Sequence, residues 1–264
     1  MSRLPSKDGT SIAYDRQGSG PAVVLVGGAL VDPTTGRAGR WENAPLATEL
    51  AARFTVYNYD RRGRAESGDT LPYAVEREIE DLDALIAEAG GSAHLYGVSS
   101  GGALALQATA AGLAVGRLAV YEVPYLIGEE AMWVWRQYVR DLDAALDEGR
   151  RGDAVELFMR VAGASEDDVA GARSSPMWPD LEAVAHTLAY DAACIGDEHP
   201  PAARLARIRQ PTLVASGEGN DFFAQAADAI VASLPRAERR TLAGQGHVAD
   251  PKVVAAMLEW FFGP

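Results

Sequence analysis

The 264-residue chain carries 37 acidic against 24 basic residues, a formal net charge of −13, and a field of that sign repels phosphate backbones and excludes nucleic acid as an expected partner. Hydrophobic residues at 48% and charged residues at 23% match a self-folding globular chain of one-domain length and exclude disorder. One cysteine, Cys194, excludes an internal disulfide framework, and the polar stretch 1–14 has no signal-peptide or anchor pattern; the expectation is a cytoplasmic protein with no membrane partner.

In chain order, residues 2–16 with Asp8-Gly9 at a turn read as an antiparallel hairpin on a sheet edge. Residues 22–26 form a near-continuous apolar run ending at Gly27-Gly28, the pattern of a strand covered on both faces. Further strands are expected at 54–59, 93–98, 118–123, 211–216 and 239–242, and helices at 75–89, 101–111, 222–234 and 251–262. In the helix 75–89, Ile79, Leu82, Leu85 and Ile86 make one stripe, while Glu76, Glu80, Asp81 and Asp83 read as a solvated acidic face. The basic stretches Arg61-Arg62-Gly63-Arg64 and Arg150-Arg151 read as a solvated turn and a solvated helix end.

Alternating strands and helices predict an α/β fold with a mostly parallel central sheet and helices on both faces. The alternation stops between 125 and 206, where helical patterns run without a strand; this segment reads as a helical cap inserted into a single domain spanning 1–264. Met132, Trp133, Trp135, Tyr138, Phe158, Met159, Met177 and Trp178 are expected to pack that cap onto the sheet, with a few lining a pocket.

The chemistry concentrates in Leu95-Tyr96-Gly97-Val98-Ser99-Ser100-Gly101-Gly102, a strand running through Gly-x-Ser-x-Gly into a helix. Such a turn exposes the serine hydroxyl at the carboxyl end of the sheet, and the glycines let helix and strand approach. A neutral hydroxyl is a weak nucleophile and needs a base. Of the four histidines, His94 lies inside a strand, His186 in a cap helix beside Thr187, and His199 before Pro200 in an irregular segment. His247, in Ala243-Gly244-Gln245-Gly246-His247, is placed on a loop after the last strand that can carry an imidazole over the sheet edge. Two carboxylates compete to orient it: Glu122, ending a strand in Ala119-Val120-Tyr121-Glu122, and Asp221, which could equally cap the helix beginning at Phe222. Backbone N–H groups of Ser100 and Ala29 are the expected oxyanion donors.

Together the Gly27-Gly28 loop, Asp60-Arg61-Arg62-Gly63-Arg64-Ala65-Glu66-Ser67, the elbow at Ser99 and Gly246-His247 resemble the α/β-hydrolase superfamily. Three positions depart from its pattern: Gly27 stands where many members have histidine, Ala65 where glycine is usual, and Asn220 at the commonest acid position. Gly97-Val98-Ser99-Ser100-Gly101 with Glu122-Val123-Pro124 is similar to zearalenone-lactonase-like members, a resemblance that implies Glu122, rather than Asp221, as the acid.

The expected protein is a serine hydrolase that cleaves a small apolar or aromatic ester or lactone through an acyl-enzyme on Ser99, with no cofactor and no metal. Rival expectations on the same scaffold are a C–C bond hydrolase or perhydrolase, or a non-hydrolytic ligand-binding protein or biosynthetic cyclase.

Overall fold

The computed structural model describes residues 1–30, 43–196 and 200–263; His199 lies outside the described residues. Strands β1 (Ser2–Pro5), β2 (Ser11–Gln17), β3 (Ala22–Val26), β4 (Thr55–Tyr59), β5 (Ala93–Val98), β6 (Val115–Tyr121), β7 (Thr212–Gly217) and β8 (Ala237–Leu242) form one sheet in the order β1-β2-β4-β3-β5-β6-β7-β8. The hairpin β1–β2 and the β2–β4 pair are antiparallel, and every other pairing is parallel. Helices α1 (Ala44–Leu50), α2 (Val75–Glu88), α3 (Ser100–Ala110), α10 (Asp221–Ser233) and α11 (Pro251–Phe262) connect the strands. Helices α4 (Glu129–Asp147), α5 (Arg151–Val161), α6 (Glu166–Arg173), α7 (Trp178–Val184), α8 (Thr187–Ile195) and α9 (Ala202–Leu205) fill the connection between β6 and β7.

The period of two along β3 sorts the core onto both faces. Val24 and Val26 join Leu82 and Leu85 of α2 and Leu104 of α3 on one side. Val23 and Leu25 join Leu46 and Leu50 of α1 and Leu258 and Phe262 of α11 on the other. The chain leaves β3 toward β4 on one side, and β5 lies on the other side of β3. The crevice at the carboxyl ends of β3 and β5 is thus a topological switch point, where open α/β sheets bind ligands.

Two local expectations are corrected, and one helix stands where none is expected. Helix α1 carries no strong periodic signal, since it has only seven residues with Pro45 in its first turn. Strand β6 ends at Tyr121, before Glu122, whose backbone turns left-handed at φ 46°. Trp133 does not pack inward; it is 61% exposed, whereas Trp135, Tyr138 and Trp178 are buried. Among the described residues no helix is long and apolar enough to cross a membrane.

Candidate active site

The turn between β5 and α3 holds Ser99 at φ 54° and ψ −129°, a region that costs a non-glycine residue about 1–3 kcal/mol. Neighbouring structure holds it there. The Ser99 N–H donates to the Tyr121 carbonyl at 2.9 Å, and the Ser99 carbonyl accepts from Gly102 N–H at 2.9 Å. The turn closes only because its flanking positions lack side chains: a Cβ on Gly97 would lie 2.5 Å from the Gly101 oxygen, and one on Gly101 would run into the Gly27 carbonyl. The consequence is a half-buried Ser99 side chain at the carboxyl edge, beside the loop that follows β3.

Glu122 follows β6 on the same edge and is 1% exposed. Its Oε1 accepts the Gly217 N–H at 2.8 Å, and its Oε2 lies 2.7 Å from His247 Nδ1. A buried carboxylate is costly unless both oxygens are engaged, and here both are. With Nδ1–H given to Glu122, Nε2 on the opposite side of the ring is left as an acceptor.

The loop carrying His247 is tied down at several points. The Tyr121 hydroxyl donates to the Gly246 carbonyl at 2.6 Å, Glu218 N–H donates to the Gln245 carbonyl at 2.9 Å, and Gly244 N–H donates to Glu218 Oε2 at 2.9 Å. Phe223 stacks on the imidazole with centroids 4.8 Å apart and planes 9° from parallel. Tyr121 and Phe223 belong to no motif, and only the fold reveals their contact with this loop.

Among the described residues Asp221 forms no ion pair with His247. It is the exposed first residue of α10, and Asn220, not Asp221, caps that helix by accepting the Phe222 N–H at 3.1 Å. Among the described residues the carboxylate against His247 is that of Glu122. His94 packs flat on Phe262 at 4.8 Å while its Nδ1 accepts the Arg117 N–H. His186, at the N-terminus of α8, has Nε2 3.4 Å from Asp69.

Ser100 is the first residue of α3, so its N–H belongs to the first turn, which has no intrahelical acceptor. Ala29 lies half-buried in the loop after β3, beside Leu30 at φ 57°.

Beneath this edge lies a cluster that contradicts the reading of 61–64 as a solvated turn. Arg61, Arg62 and Arg64 are 2%, 0% and 2% exposed. Arg61 makes two 2.7 Å bonds to Glu78, and Arg62 bonds Asp81 at 2.7 and 2.8 Å and Asp8 at 3.0 Å. Arg64 reaches both oxygens of Asp191 at 2.7 Å. Asp81 is therefore buried as well, and not part of a solvated face. Ala65 adopts φ 44°, which accounts for glycine being usual at that position. The Cys194 thiol packs against this cluster, and burial pushes it up to about 12.

Burial alone would raise the carboxyls of Glu78 and Asp191. Arg61 facing Glu78, and Arg64 with Arg61 facing Asp191, outweigh it and hold both below the ordinary carboxylate range. A carboxylate more acidic in the folded than in the unfolded chain contributes stability that is complete above its unfolded pKa, about 4, and is lost as pH falls through the folded value. Thermal unfolding followed by circular dichroism is expected to give a Tm that falls as pH drops below about 4. A Tm that holds or rises through that acid range would contradict the assignment. Among the described residues no group of His, Cys, Asp and Glu could hold a metal ion.

Comparison with known proteins gives a consistent picture. A model described as the alpha/beta hydrolase family matches residues 23–257. The chain is similar to the crystal structure of an alpha/beta hydrolase from Sphaerobacter thermophilus, with 49% identity, 99% of this chain and 100% of that one covered, and a TM-score of 0.87. The enol-lactonase from Burkholderia xenovorans LB400 superposes with a TM-score of 0.68 over 99% of this chain and 98% of that one at 21% identity, a likeness of fold. An uncharacterized hydrolase of Bacillus subtilis, YraK, is 34% identical over 102 residues, or 37% of this chain; the match spans 35% of that protein, about a third of its length.

Proposed function

Given that the chain belongs to the alpha/beta hydrolase family, we propose that it hydrolyses a carboxylic ester or lactone through an acyl-enzyme on Ser99, with His247 as base and Glu122 as the acid that orients it. The observation that carries this reading is the 2.7 Å contact between His247 Nδ1 and the buried Glu122, at the sheet edge to which the strained turn delivers Ser99. A carboxylate on Nδ1 sets the tautomer in which Nε2 accepts a proton and stabilises the imidazolium that results.

The Ser99 oxygen attacks the carbonyl carbon while its proton passes to His247 Nε2. The carbonyl π electrons move onto oxygen, where the Ala29 and Ser100 N–H groups receive the negative charge. Collapse of the tetrahedral species breaks the bond to the alkoxy oxygen, which takes the proton from His247 and leaves. Water then gives its proton to the same imidazole, attacks the acyl carbon and releases the acid, restoring Ser99. No step needs a cofactor.

Helices α4–α9 serve as the cap in this reading. Leu30, Val123, Tyr125, Leu126, Trp135 and Tyr138 belong to one apolar cluster that spans the loop after β3, the segment after Glu122 and α4. The proposed substrate carries an apolar or aromatic acyl or alcohol group, in keeping with the large apolar side chains of this connection.

The test is partitioning of a common intermediate. Two esters of one acid, an aryl and an alkyl ester, are hydrolysed in the presence of hydroxylamine. A shared acyl-enzyme predicts the same hydroxamate-to-acid ratio from both. A ratio that depends on the leaving alcohol would point to direct attack by water, and absence of turnover of either ester would remove the ester-hydrolase reading.

A further inference from the structure

Desolvating an ion is costly even when it is paired, and buried ion pairs are weak evidence for stability. Three guanidiniums sealed within four residues are better understood through what their donors hold. Arg62 reaches Asp81, Asp8 and the Arg77 carbonyl, all away from the elbow. Arg61 and Arg64 do something different. Arg61 Nη1 donates to the Gly27 carbonyl at 3.3 Å and to the Ser100 hydroxyl at 3.2 Å, and Arg64 Nη1 donates to the Gly28 carbonyl. The Ser100 hydroxyl in turn donates to Asp191 Oδ1 at 2.7 Å.

In a planar trans peptide the C=O of one residue and the N–H of the next point in opposite directions. A guanidinium that holds the Gly28 carbonyl therefore aims the Ala29 N–H away from the arginines. A flipped peptide would lose the Arg64 bond and present a carbonyl where a donor is needed. At the second donor, the Ser100 hydroxyl gives its one proton to Asp191 and accepts from Arg61. That leaves its side chain a single orientation and pins the first residue of α3. Asp191 binds Arg64 and Ser100 at once, and it stands on α8, in the connection between β6 and β7.

We infer that Arg64 and Asp191 are positioning residues that hold the two oxyanion-hole peptides in their working orientation, the second acting from the cap. The inference rests on the roles proposed above for Ala29 and Ser100. Neither residue touches substrate; both act through the Gly28–Ala29 peptide and Ser100.

Arg64→Lys keeps a positive charge opposite Asp191, but an ammonium cannot supply the forked pair to Asp191 and the bond to Gly28 together. Arg62→Lys is the matched control, equally buried and paired but in contact with neither donor peptide. Active sites are titrated with a fluorophosphonate, and kcat and KM for a nitrophenyl ester are expressed per titrated site. Affinity is also measured for a trifluoromethyl ketone, whose adduct with a serine carries an oxyanion. Arg64→Lys is expected to lower kcat about 10- to 100-fold with KM within about twofold, and to weaken the ketone by the same factor. Arg62→Lys is expected to lower Tm and leave kcat and ketone affinity per site unchanged.

Should Arg64→Lys fail to fold, Ser100→Ala decides by the same two readouts, because it cuts the Asp191 clamp and spares every arginine–carboxylate pair. Per-site kcat within about twofold of the wild type, an equal loss in Arg62→Lys, or a kcat loss that the ketone does not mirror would overturn the inference. In each of those cases an active, labelled wild type leaves the hydrolase reading standing. A wild type that neither labels nor turns over brings down both.

Discussion

Replacing Ser99 by alanine is expected to lower kcat for an ester substrate by about 10⁶-fold, the scale seen when a serine hydrolase loses its nucleophile. The fold should survive, because alanine occupies the same left-handed position and the bonds from Ser99 N–H to Tyr121 and from Gly102 to the Ser99 carbonyl involve backbone alone. Ser99→Gly is expected to be as inactive but more heat-stable. Glycine takes φ 54° without the cost of about 1–3 kcal/mol that a side chain incurs there. The paired result, activity gone and Tm raised, would separate the chemical role of the hydroxyl from its structural setting. Alanine retaining more than about a hundredth of the wild-type kcat would contradict the role, since the hydroxyl would then contribute far less than a nucleophile does.

The second large effect concerns the acid. Glu122→Gln is expected to lower kcat about 10⁴-fold, through the tautomer of His247 and not through its position. The Gln carbonyl can still accept the Gly217 N–H, which turns the NH₂ group toward His247 Nδ1. Nδ1 must then accept, the ring proton moves to Nε2, and Nε2 loses the lone pair with which it would take the Ser99 proton. Asp221→Asn is expected to leave kcat within about threefold, because that exposed side chain makes no described contact with the imidazole. Steady-state kinetics of both variants on one ester decide the matter. A severe loss in Asp221→Asn with a mild one in Glu122→Gln would reverse the assignment.

Much of this arrangement is legible in the residues. Strand β3 is readable to the residue because a strand buried on both faces is an unbroken apolar run, β5 because its apolar residues run straight into the Gly-x-Ser-x-Gly turn, and the Asp8-Gly9 turn announces the β1–β2 hairpin. The elbow is readable because its glycines meet a steric demand that no other residue satisfies. The left-handed turn at Glu122 is not, since nothing local marks a glutamate for φ 46°.

The arginine cluster is hidden for a different reason. A guanidinium in a Gly-containing turn is ordinarily solvated, and its partners Glu78, Asp81 and Asp191 lie 17 to 130 residues away along the chain, brought together only by the fold. One trace is present. Glu78, Asp81, Leu82 and Leu85 recur at i, i+3, i+4 and i+7, so both acids lie on the buried face of α2. Acids in phase with an apolar stripe are a signal of buried cations. The same trace leads from a turn that resembles surface to the peptides proposed to stabilise the oxyanion.

Every chemical step proposed for this protein needs an activated oxygen at position 99, and peptide mapping by mass spectrometry after fluorophosphonate treatment tests for it most directly. The prediction is one phosphonyl group per chain, carried by the peptide that contains Ser99 and lost in Ser99→Ala. Folded wild-type protein that takes up no label, or takes it up on another residue, would contradict it.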